Sequence, residues 1–255
     1  MKSSRETVKD QQMCSSVSLF CIPFSGGNAY SYSGFSQYLP ENMELCALEL
    51  PGRGKRISEP LLHSIDAMTE DLFKQIENRI GGCYAVFGHS LGALLGLTLC
   101  RYISSRGMNL PVHLFLSGQT APTLLTPDDT FRMPDTQFIE SLRDMAGTPE
   151  ELLTDNGFLQ FFLPVVRADF QSFSEYRHTP KRFPLDVPIA VMTGSGENIS
   201  DEDAAAWQLE TDNTISLHRF EGGHFYILSH AKSICALIAE RISTATGCKR
   251  SRGKG

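Results

Sequence analysis

Gly88-His89-Ser90-Leu91-Gly92 matches the pattern G-x-S-x-G, in which the serine is a candidate nucleophile for a carbonyl carbon. Its flanks add weight. The apolar run Tyr84–Phe87 leads in as a strand, and Leu91–Ile103 leads out as a largely apolar helix. A strand-to-helix turn that sharp puts its central residue in a strained backbone region and pushes Ser90 Oγ clear of the sheet. The start of the helix then faces the serine and favours negative charge developing there.

A serine hydroxyl is a poor nucleophile without a base. The chain has seven histidines, at 63, 89, 113, 178, 218, 224 and 230. Only His224 follows the last expected strand directly, in Glu221-Gly222-Gly223-His224, where two glycines let the loop reach back over the sheet end. His89 adjoins Ser90 but points elsewhere on such a turn. His218 falls within the strand and His230 within the final helix. The acid is expected at the end of a strand between serine and histidine. The run after Val112–Leu116 holds no carboxylate before Asp128, whereas Val187–Met192 continues through Thr193-Gly194-Ser195-Gly196 to Glu197. Glu197 would accept the His224 Nδ1–H and stabilise the imidazolium; Asp201 is the rival, with Asp203 behind it. An oxyanion hole needs two backbone donors: the N–H of Leu91, and one from the loop Pro23-Phe24-Ser25-Gly26-Gly27, with Ser25 the choice and Phe24 the alternative.

These residues need a frame. Val17–Ile22 and Met43–Leu50 read as strands, Ser64–Ile80 as an amphipathic helix, Thr214–Phe220 as the last strand and Phe225–Ile242 as one closing helix. Strands alternating with helices imply a mostly parallel sheet with helices on both faces. Between about 123 and 183 only helices are expected: Asp135–Met145, Pro149–Leu153 and Phe158–Tyr176. An insertion at the carboxyl end of the sheet is where a lid would sit. The remaining boundaries are a polar leader over 1–12, a single domain over 13–245 and a basic tail over 246–255, with Met13 an alternative start.

At 255 residues, 41 % hydrophobic and 20 % charged, the chain suits one α/β enzyme. A net charge of −6 argues against nucleic acid as a general partner. No apolar leader segment or spanning run is present, so no membrane role is expected. The seven cysteines show no C-x-x-C pair and read as reduced, mostly buried thiols of a cytoplasmic protein.

Five ordered blocks carry a family resemblance: Ile22-Pro23-Phe24-Ser25-Gly26-Gly27; Glu49-Leu50-Pro51-Gly52-Arg53-Gly54-Lys55-Arg56 with Glu59-Pro60; Phe87–Ala93; Leu163-Pro164-Val165-Val166-Arg167-Ala168-Asp169-Phe170; and Trp207 with Phe220–Phe225. Together they resemble type II thioesterases, the stand-alone editing enzymes of nonribosomal peptide and polyketide synthesis. One departure is that the family commonly has aspartate where Glu197 stands.

The resemblance implies an α/β-hydrolase fold and a Ser90–Glu197–His224 triad. It implies hydrolysis of an acyl group from the phosphopantetheine arm of a carrier protein, without metal or other cofactor, by a monomer. Carrier domains are usually acidic, and Arg53, Lys55 and Arg56 offer the local positive charge, with Arg167 or Lys181-Arg182 a further source, although Lys181 and Arg182 read rather as solvated surface charges. Rival readings are a general carboxylesterase or lipase, a carrier-linked terminal thioesterase and a non-catalytic hydrolase-fold binding protein.

Overall fold

A computed structural model describes residues 16–145, 147–179 and 184–246. The expected leader, Met13, Lys181-Arg182 and all of the basic tail after Thr246 lie outside the described residues.

Six strands form one parallel sheet in the order β2-β1-β3-β4-β5-β6. They are β1 (Val17–Ile22), β2 (Met43–Ala47), β3 (Tyr84–His89), β4 (Leu114–Ser117), β5 (Ile189–Gly194) and β6 (Ser216–Phe220). The helices are α1 (Ile65–Ile76), α2 (Leu91–Ser105), α3 (Asp135–Asp144), α4 (Glu150–Leu153), α5 (Asn156–Glu175), α6 (Asp201–Ala205), α7 (Tyr226–Ser229) and α8 (Ala231–Thr246).

Alternation along the central strands sorts side chains into two apolar layers. Phe20, Ile22, Tyr84, Val86, Leu114, Leu116, Ile189 and Val191 join the layer under α1 and α2. Leu19, Cys21, Ala85, Phe87, Phe115, Ala190 and Met192 join the layer under α8, with Ile234, Ile238 and Ile242. Burying each of the Val, Leu, Ile, Phe and Met side chains among these contributes about 1.5–3 kcal/mol. With both faces covered, these strands read as continuous apolar runs, which is why the sequence marks them plainly. Trp207 is fully buried, and its indole N–H donates to the Gln119 carbonyl at 2.9 Å.

The closing helix differs from expectation. The chain forms α7, breaks at His230 and resumes as α8. The short first piece brings Tyr226 onto the Phe220 ring and onto Ser117, a position that one continuous helical run does not provide. His230 sits at the break, its Nε2 2.8 Å from the Glu221 carbonyl.

Between β4 and β5 the chain leaves the sheet as α3, α4 and α5, which close on their own cluster of Phe138, Leu142, Leu153, Leu159, Leu163 and Val166. Cys21, Cys46, Cys100 and Cys235 are buried free thiols. Cys83 departs from the all-reduced expectation and is disulfide-bonded; it lies half-buried just before β3.

Candidate active site

Ser90 stands between β3 and α2 with φ 56° and ψ −119°, and is the one non-glycine residue at positive φ among those described. The flanking glycines make the turn possible. A Cβ on Gly88 would lie 1.9 Å from the Gly92 carbonyl oxygen, and one on Gly92 would lie 2.3 Å from the Ile22 oxygen. Ser90 N–H donates to the Ser117 carbonyl at 2.8 Å, which fastens the turn to β4. Held this way, the strained conformation persists because the surrounding sheet determines it.

His224 follows β6, and its Nδ1 lies 2.6 Å from Glu197 Oε1. Glu197 is almost buried, and its other oxygen accepts the Gly194 N–H at 2.6 Å, at the end of β5. The additional methylene of glutamate is accommodated by this fold-back, so one oxygen anchors on the strand end while the other meets the imidazole. Asp201 lies elsewhere: it is exposed and pairs with Arg219 at 2.7 Å. Asp203 serves the α6 N-terminus in a reciprocal cap with Ser200.

Behind His224 lies a layer that sequence reasoning missed. His89 is fully buried, and its ring centroid is 4.8 Å from that of His224. Its Nδ1 lies 2.9 Å from Ser117 Oγ, which is 2.6 Å from Tyr226 OH. Burial, and secondarily His224, hold the His89 pKa well below the ordinary imidazole value, so it stays neutral. Burial raises the Tyr226 phenol and keeps it protonated. Ser117 is itself fully buried, so it supports the site from below. The sequence signal available was only the adjacency of His89 to Ser90.

Ser25 and Phe24 lie across from these groups. A chamber of about 60 Å³ is lined by Phe24, Ser25, Ser90 and His224 on the sheet side, and by Leu142, Phe162 and Phe170 on the insertion side. A wider recess of about 610 Å³ opens on the other side of His224, bordered by Glu197, Gln119 and Asn198. Leu91 begins α2, so its N–H belongs to the free donors of a helix start. The arrangement provides a strained serine, a carboxylate-oriented imidazole and a backbone loop around one small apolar chamber.

The thioesterase domain model matches residues 17–242. The chain belongs to the thioesterase family. It is 35 % identical over 211 residues to the gramicidin S biosynthesis protein GrsT of Aneurinibacillus migulanus, covering 82 % of each chain. Among solved structures it resembles ClbQ from the colibactin NRPS/PKS pathway, with TM-score 0.87 and 29 % identity over 92 % of this chain and all of that one. It also resembles the type II thioesterase BorB from the borrelidin biosynthetic cluster, with TM-score 0.81 and 32 % identity over 89 % of this chain and 93 % of that one. The motifs also suit a colibactin-cluster thioesterase, but at 29 % identity ClbQ is a relative rather than the same protein. This thioesterase is a thioester hydrolase of the type II kind, with the α/β-hydrolase architecture.

The thioesterase motifs find partners in one another, and this corrects the expected basic patch. Arg53 is buried, and its guanidinium grips Asp169 with bonds of 2.7 and 2.8 Å. Arg56 is committed to Asp71 and Glu59, and Arg167 to Asp135 and the Phe131 carbonyl. Glu49 is buried and accepts the N–H groups of Ala29 and Lys55, tying the second motif to the first. Of the described residues named for that patch, Lys55 is the exposed one. Arg53 and Arg56 pair bidentately there, which a charge count in sequence does not distinguish from a solvated cation.

Proposed function

We propose that the chain removes acyl groups from the phosphopantetheine arms of carrier proteins, with Ser90 as nucleophile, His224 as base and Glu197 as its orienting acid. The observation that carries this reading is the 2.6 Å Glu197–His224 contact beside the chamber that His224 shares with Ser90. His224 Nε2 takes the Ser90 proton as Oγ attacks the thioester carbon. The imidazolium is stabilised by Glu197, and the oxyanion by the N–H groups of Leu91 and Ser25. Collapse breaks the C–S bond, and the thiol leaves with a proton from His224. Water then attacks the Ser90 ester as His224 takes its proton, and the acid departs with Ser90 reprotonated.

In the same reading the domain spans 13–245, and the helical insertion is a lid over the acyl group. The wide recess near His224 offers a path from solvent for the arm or for water. No helix among the described residues is long and apolar enough to cross a membrane. The buried free thiols Cys21, Cys46, Cys100 and Cys235 suit a cytoplasmic setting beside the synthetases, and the Cys83 disulfide is the feature that stands against it.

An acetyl-loaded carrier and nitrophenyl acetate, each with wild type and Ser90→Ala, test the proposal by intact-protein mass spectrometry and absorbance. Faster clearing of the carrier, dependent on Ser90, supports it. Cleavage of the ester alone would make the chain a general esterase.

A further inference from the structure

We propose that Arg53 and Asp169 are positioning residues that hold the oxyanion loop in its working conformation and tie it to α5; the proposal rests on the reading of Ser90 and Ser25 given above. Asp169 sits on α5 with no exposed surface. Its carboxylate takes three bonds: two from the Arg53 guanidinium at 2.7 and 2.8 Å, and one from the Gly26 N–H at 2.8 Å. Arg53 Nη1 also reaches the Gly27 carbonyl at 3.4 Å.

Phe24–Gly27 is a four-residue turn, closed by Gly27 N–H to the Phe24 carbonyl at 2.9 Å. Gly26 takes φ +74°. The central peptide of such a turn is the one whose rotation separates one turn type from another. Here that is the Ser25–Gly26 peptide, and its N–H is the one that Asp169 holds. Rotation of this peptide changes ψ of Ser25 and φ of Gly26; the Ser25 N–H lies on the preceding peptide, which keeps its direction while the turn stays closed and seated on α5. The loop is also pressed against the same helix: a Cβ on Gly26 would lie 2.7 Å from Val166 and 2.8 Å from Phe162.

Stability alone is a poor explanation for such a pair. Burying two charges is costly, and a well-packed apolar pair is often as stable or more so. What an apolar pair lacks is a directional acceptor for Gly26 N–H. The clamp thus makes the geometry of the oxyanion loop depend on α5 being seated. A helix displaced from the body would withdraw the acceptor from the loop.

The test uses the double variant Arg53→Met/Asp169→Leu, which leaves no unpaired buried charge, and the single variant Asp169→Asn, which retains the shape and one acceptor oxygen. Melting temperature, kcat and KM on a short nitrophenyl ester, and affinity for an alkyl boronic acid that forms a tetrahedral adduct on Ser90 are measured. The double variant should stay folded, with KM within about threefold of wild type. Its kcat and boronate affinity should fall together by about 10–100-fold. Asp169→Asn should fall less on both. The proposal is overturned if whichever variant folds keeps kcat and boronate affinity within about twofold of wild type. It is equally overturned if KM rises in step with the boronate dissociation constant, which marks general loosening. Ser90→Ala separates the two readings: turnover or boronate binding surviving in it removes the nucleophile assignment itself, whatever the clamp variants do.

Discussion

In the sheet, neighbouring strands send alternate side chains into two closed apolar layers, and Phe20, Phe87, Phe115 and Leu19 have almost no exposed surface. In the insertion, α3 to α5 gather on one smaller cluster, while Phe161 of α5 stays 64 % exposed and Leu152 of α4 36 %. The serine, imidazole and carboxylate all stand at strand ends of the first region. The outer wall of the acyl chamber comes from the second. Groups that must hold sub-ångström geometry sit on the over-determined sheet, and groups that must accommodate a substrate sit on the lightly packed helices. Changes in the sheet should therefore act on rate and changes in the wall of the insertion on selectivity, the Asp169 clamp being a point where α5 reaches into the first region.

The largest effect should come from Ser90→Ala. Turnover of an acyl-loaded carrier should fall by about a million-fold, with the fold retained by circular dichroism. Substantial hydrolysis in this variant would remove the covalent mechanism. Glu197→Ala should follow, with kcat falling by about 10⁴-fold as the imidazole loses its orienting partner. Asp201→Ala should stay near wild type because Asp201 faces Arg219. If instead Asp201→Ala is the damaging variant, the carboxylate that serves His224 in solution differs from the one 2.6 Å away here.

The same contrast explains what was legible in the sequence. Two-sided burial writes β1, β3 and β5 as apolar runs, and the glycine demands of the turn write G-x-S-x-G around Ser90. Glu197 and His224 could be picked out because each follows a strand at the same end of the sheet. The Glu197–Asp201 alternative stayed open because four residues of loop decide it, and only coordinates show the Gly194 anchor. Arg53 and Asp169 were visible as motif residues, but their pairing spans 116 positions, and nothing in a single sequence joins them. The break at His230 was hidden because apolar spacing continues through it; the cause is the distant Tyr226–Ser117 contact.

A pH effect on stability should come from the sheet. His113, at the entrance to β4, is buried and stacks on Phe115 with ring centroids 4.5 Å apart. Burial, assisted by Arg241 and His218, pushes its pKa down to about 4 from 6.5. The unfolded chain then binds more protons than the folded one across this window. Stability is therefore full above pH 6.5 and falls as pH drops toward 4, by about 3 kcal/mol from this group. His113→Phe, which retains the stack, should flatten the fall in melting temperature between pH 7 and 4. His89 and His218, also lowered chiefly by burial, leave part of the slope. An unchanged slope would place the pH sensitivity elsewhere.

The smallest effect, and the one that tests the insertion directly, should come from Phe162→Ala. Phe162 stacks on Phe158 at 4.8 Å between centroids and forms part of the outer wall of the 60 Å³ chamber. Space of that size holds a short acyl group, since one water needs about 10–15 Å³ on the same measure. Removing the ring opens the chamber along α5 without touching Ser90, Glu197 or His224. The hexanoyl-to-acetyl ratio of kcat/KM should rise about tenfold, an ordinary return for a few methylenes in an apolar pocket. Acetyl turnover should change little, because the sheet-borne groups keep their places. Phe161→Ala is the matched control: the same residue type on the same helix, but directed to solvent, so its ratio should not move. If both variants shift selectivity equally, the insertion acts through its overall mobility rather than through a wall. If Phe162→Ala instead lowers acetyl turnover as sharply as a sheet variant, the division of labour between the two regions fails, and the apolar wall of α5, not the Asp169 clamp alone, holds the reacting groups.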